Sequence, residues 1–175
     1  MAIEKKWLAI LLIVGLVVLI GGYFLISPGH PKTDNSTEAK DMTNSINMYN
    51  EKFVDYTTTY TMLAKQSNDM TSDSQITLSE IESYESKLVD FIAACDAIMT
   101  QSDSTKEVVD NYKDKFLLTD YNRIISEFNS KEDLIRNDMN TMIIGINMVR
   151  GVNNSPEHDQ ILNDLSVRLI EIRDR

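Results

Sequence analysis

A single cysteine, Cys95, leaves this 175-residue chain unable to form an internal disulfide. A domain of this length does not need one, because one hydrophobic core suffices. Histidine occurs twice, as His30 and His158. That is too few for a catalytic zinc site, which wants two or three histidines within reach, and neither belongs to the paired Glu-x-x-His units of di-metal bundles. Haem attachment through C-x-x-C-H requires a second cysteine. Gly-rich phosphate loops and G-x-S-x-G are also missing. No catalytic residue, cofactor or metal is therefore expected, and the chain is not read as an enzyme. Basic clusters are lacking too: 17 Lys and Arg stand against 27 Asp and Glu, a formal charge of −10. Residues 1–26 contribute +1 through Glu4, Lys5 and Lys6, so the remainder carries −11. Such a surface repels phosphate backbones, and no nucleic acid is expected as a partner.

Glycine is absent between Gly29 and Gly145, and proline between Pro31 and Pro156. With so few turn-forming residues, and strand signals almost confined to Thr57-Thr58-Thr59, the chain reads as all-α.

What is present begins with residues 7–26, WLAILLIVGLVVLIGGYFLI, an uncharged apolar run. Twenty helical residues cover about 30 Å, the thickness of a bilayer's hydrocarbon. Trp7 and Tyr23 lie near its two ends, where amphipathic rings favour the headgroup layer. Lys5 and Lys6 precede the run directly, whereas the first lysines beyond it are Lys32 and Lys40, which favours an inside N-terminus and a domain outside the cytoplasm. A cleaved leader would have a shorter apolar core, of about 7–15 residues, although Ser27 and Gly29 could serve as small residues at a cleavage site. The expectation is a retained anchor. Its glycines have no GxxxG spacing, so nothing argues for pairing inside the lipid.

Residues 27–36, SPGHPKTDNS, read as a linker. Met42, Ile46, Tyr49, Phe53, Tyr56, Tyr60, Leu63, Ser67 and Met70 then follow an unbroken 4-3 spacing, the seam of a long packed helix. Thr77 and Glu80 form a capping box, with Ile76 and Ile81 in the staple positions. The second seam is Ile81, Tyr84, Leu88, Phe91, Cys95 and Ile98. Ser104 with Glu107 repeats the box and predicts a third helix bearing Val109, Tyr112 and Phe116. After Leu117 its phase slips by one residue and continues as Tyr121, Ile124 and Phe128. Ser130 with Asp133 predicts a break and a fourth helix, with Ile135, Met139, Met142, Ile146 and Val149 on its seam and Gly151 at C′. Ser155 and Pro156 open a last helix through Leu162, Leu165, Leu169 and Ile172. The expected fold is a single N-terminal transmembrane helix followed by an antiparallel helical bundle of four to five helices. Residues 1–6 form a short cytoplasmic tail, 7–26 the anchor, 27–36 the linker and 37–175 the extracytoplasmic bundle.

Candidate functional residues are few. Cys95, on a seam between Phe91 and Ile98, is expected to be a buried free thiol. His158 is expected at a helix terminus or at the edge of a seam. Pairs among Glu80, Glu82, Glu85, Asp110 and Asp114 are what any acidic helix offers on its wet face. Tyr49, Tyr56, Tyr60 and Tyr84 are candidate ligand-lining residues, although aromatics on a seam more often fill a core. Replacing Tyr56 or Tyr60 by Phe is accordingly expected to leave the fold intact. Asn35 and Asn153 each begin an N-x-[ST] triplet and are candidate glycosylation sites.

In layout the anchored bundle resembles the extracytoplasmic helical sensing modules of chemoreceptors. Those sit between two spans and join a cytoplasmic output domain, whereas no second span is expected here. The reading is a tethered bundle, held in the bilayer through residues 7–26, that binds another protein or itself or plays a structural part. The alternative is a tethered small-molecule-binding bundle with an aromatic pocket.

Overall fold

The computed structural model describes residues 37–72, 76–115 and 117–175, and the expected tail, anchor and linker at 1–36 lie outside them. Among the described residues all regular structure is helical, and no helix is long and apolar enough to cross a membrane. Four α-helices follow in order: α1 Thr37–Ser72, α2 Leu78–Asn111, α3 Leu118–Val152 and α4 Pro156–Arg173. A 3₁₀ turn at Lys113–Lys115 lies between α2 and α3. The first three have 36, 34 and 35 residues, each about 50–55 Å long at the α-helical rise. The 18 residues of α4 span about half of that.

Every member of the α1 seam from Met42 to Met70 is buried. The Thr57–Thr59 run stays helical, with the Thr57 and Thr58 hydroxyls donating to the Val54 carbonyl and Thr59 to Asp55. The Thr77 box forms as expected: Glu80 N–H donates to Thr77 Oγ1, and Thr77 N–H to Glu80 Oε2. Ser155 is the N-cap of α4 with Pro156 in its first turn, but the Ser155 side chain makes no cap bond.

Three expected boundaries fall elsewhere. α2 runs on through Ser104, because its seam continues past Ile98 as Ser102, Thr105 and Val109, all buried. Ser102 Oγ donates to Glu132 Oε1 at 2.6 Å, and Ser45 Oγ donates to Thr105 Oγ1 at 3.0 Å, so small hydroxyls fill these positions without leaving polar atoms stranded. α3 likewise passes unbroken through Ser130, which is exposed and caps nothing. The break lies instead at Tyr112–Leu117, where the seam phase slips. Gly151 is helical and not the C′ residue; Asn153 caps α3.

Side-chain pairs fix the packing. Ser45 with Thr105 and Tyr84 with Ser67 run α1 antiparallel to α2. Tyr49 with Phe128 and Tyr56 with Asp138 run α1 parallel to α3. α4 starts where α3 ends. It lies parallel to α2 through Glu85–His158 and Asp96–Arg175, and antiparallel to α3 through Arg150–Asp159 and Asn140–Arg173. The bundle therefore has four helices over one half of its length and three over the other.

At Gly145 α3 leaves no room for a side chain against α1: a Cβ there would lie 2.8 Å from Ser67 Oγ. At Gly151 a Cβ would meet nothing within 4 Å. Gly145→Val should therefore cost about 1–3 kcal/mol by overpacking. Gly151→Ala should add roughly 0.5–1 kcal/mol by restricting the unfolded chain. Urea midpoints of the two variants moving in the same direction would contradict this packing.

Candidate functional site

The aromatic seam of α1 builds the centre of the bundle. Tyr49, Phe53, Tyr56 and Tyr60 follow one another along α1 at 6.2, 6.0 and 6.3 Å between ring centroids, the first and last pairs stacked and the middle one tilted. Phe91 of α2 packs against Tyr56 and Tyr60 at 5.8 and 5.9 Å, and Phe128 of α3 meets Tyr49 edge-on at 4.6 Å. Tyr84 lies one layer further along, its hydroxyl near Ser67 Oγ at 3.4 Å. All four candidate tyrosines are at most 1 % exposed.

Into this column α3 inserts a carboxyl group. Asp138 is 1 % exposed, and the Tyr56 hydroxyl donates to its Oδ2 at 2.7 Å. The Tyr60 hydroxyl is a second partner. Burial pushes Asp138 up to about 7, against the pull of these two hydroxyls in the other direction. Burial likewise raises Tyr56 and Tyr60, with the Asp138 charge adding to it. Cys95 of α2 is buried and free, its thiol raised first by burial and then by Asp138. A group that exchanges its proton near neutral pH thus sits inside a packed core.

No family model, curated protein or solved structure matches the chain.

Two turns of α3 before Asp138, Lys131 lies with Nζ 3.8 Å above the Phe53 ring. Burial lowers its amine to about 8, with Glu127 opposing. Not every buried polar atom is matched: the Tyr49 hydroxyl and Asn68 Oδ1 have no hydrogen-bond partner.

His158 stands in the first turn of α4, with Nδ1 2.9 Å from Glu85 Oε1 of α2. Glu85, read from sequence as one of several wet-face carboxylates, is in fact mostly buried in this pair. Among the described residues no three potential metal ligands cluster. Asn153 closes the turn before α4, its Oδ1 accepting from Ser155 N–H and its Nδ2 donating to the Ser155 carbonyl. Asn35 lies outside the described residues. On the outer side of α1, Asn47, Asn50, Glu51, Val54 and Asp55 line a shallow depression of about 410 Å³, and Met48 and Met62 stand exposed on the same helix.

Neither Lys131 nor Asp138 stood out in the sequence, since an apolar seam is searched for apolar residues. The available signal was spacing: Ile124, Lys131, Asp138 and Gly145 recur every seven residues, interleaved with Phe128, Ile135, Met142 and Val149, and all eight are buried.

Proposed function

We propose that this protein is a membrane-tethered helical bundle whose outer surface engages another protein or a second copy of itself. The tether is residues 7–26, and the bundle lies outside the cytoplasm, on the argument of the lysine pair before the run. The observation that carries an outer binding surface is the filled core. The tyrosine rings pack on one another and on Phe91 and Phe128, and the Tyr56 hydroxyl is taken by Asp138. Aromatics so engaged serve the fold. The exposed Met48, Val54 and Met62 of α1 supply apolar area for a partner.

Two measurements test this. Protease added to intact cells should digest the chain beyond residue 35, and full protection there would overturn the placement. A photo-crosslinker at position 48 or 62, used in native membranes, should give a discrete adduct that Val54→Lys abolishes. Absence of adducts, together with a small ligand whose binding is lost in Tyr60→Phe, would favour the pocket reading instead.

A further inference from the structure

Leu117 and Leu118 serve neither the core nor a cap. Leu118 is 73 % exposed and Leu117 55 %, the former the most exposed large apolar residue among those described. Leu117 is the N-cap of α3 and makes no side-chain cap bond, at a position where Ser, Thr, Asp or Asn would satisfy a free N–H.

Their place in the bundle gives them a use. Ser45 is level with Thr105, so Asn111 at the end of α2 lies about 9 Å closer to the start of α1. Tyr49 is level with Phe128, so Leu118 lies about 15 Å in that same direction. Both positions are within a turn of the level of Thr37. The α2–α3 turn therefore lies at the end of the bundle where the apolar run is attached. Only residues 27–36 lie between that run and Thr37, a reach of at most about 35 Å. Beside the leucines are exposed Lys113, 4.0 Å from Asp110, and half-buried Tyr121, whose hydroxyl donates to Asp110 at 2.8 Å. Lysine and tyrosine each join an apolar body to a polar tip, as the membrane interface favours.

We propose that Leu117 and Leu118 rest in the headgroup layer of the bilayer that holds residues 7–26, so that the bundle stands end-on upon the membrane. This rests on the tether proposed above. The full chain, reconstituted in phosphatidylcholine–phosphatidylglycerol vesicles, tests it by nitroxide labelling of Leu118→Cys. Leu78→Cys at the opposite end and Val17→Cys in the apolar run are the references, and the unsubstituted chain gives the background from buried Cys95. The label at 118 should be reached by oxygen and shielded from a water-soluble nickel chelate, with an accessibility ratio several-fold above that at 78. A label at 118 as open to nickel as at 78, with the label at 17 in hydrocarbon, overturns the proposal and leaves the tether standing. A label at 17 open to nickel overturns both. Shielding of 118 from oxygen and nickel alike means that protein covers the leucines, which also overturns it.

Discussion

Replacing Asp138 with asparagine should change stability little at pH 4 and raise it by roughly 4 kcal/mol at pH 8, the equivalent of a three-unit shift. The folded protein holds the Asp138 proton up to about pH 7, while the unfolded chain releases it near 3.8. Between these values the native state binds one more proton than the unfolded state, so stability falls as pH rises, by about 1.4 kcal/mol per unit. Below the window both states are protonated, and above it both are ionised with the full penalty in place. Asparagine keeps the shape and an oxygen for the Tyr56 hydroxyl but has no charge to bury. Carboxylates elsewhere contribute equally to both proteins and cancel in the comparison. Denaturant unfolding of the two proteins at pH 4, 6 and 8 measures the window. A pH-independent difference would mean that Asp138 ionises normally and that water reaches it.

Removing a hydroxyl from two tyrosines of the same seam should have opposite effects. Tyr49→Phe should stabilise by about 1 kcal/mol, because its buried hydroxyl has no partner and bears an uncompensated desolvation cost. Tyr56→Phe should destabilise by about 1.5–3 kcal/mol at pH 8, where it takes a donor from a charged acceptor. It should also raise the Asp138 pKa further, since that hydrogen bond favours the ionised carboxylate. Seam position alone made Tyr56→Phe look harmless; the carboxyl group facing it reverses that expectation. Equal effects at 49 and 56 would show that the two hydroxyls have similar surroundings.

Legibility from sequence followed the apolar content of each seam. On α1 the pattern was nearly pure and every position was right, as was the capping box at Thr77. On α2 and α3 the seam continues through Ser102, Thr105, Lys131, Asp138 and Gly145, which an apolar pattern does not include. The capping boxes at Ser104 and Ser130 instead predict helix starts that α2 and α3 run straight through. A capping box is a local pattern of two polar residues, and an acidic, serine-rich helix surface produces it by chance. The slip at Leu117 was the sounder signal, because a change of seam phase cannot be absorbed within one straight helix. What lay out of reach was the partnership of Tyr56 with Asp138, 82 positions apart.

Because α1 and α3 run parallel, they meet only after the chain has reversed direction twice. The α1–α2 hairpin can close on neighbouring sequence, whereas the layer joining Tyr56 to Asp138 must wait for α2 to be in place. That layer then belongs to the late side of the folding barrier. Asp138→Asn should accordingly slow unfolding at pH 8 and leave the refolding rate nearly unchanged. A faster refolding rate would place the α1–α3 contact in the nucleus. On this account the buried carboxyl sets how long the native bundle persists, with little influence on how quickly it is reached.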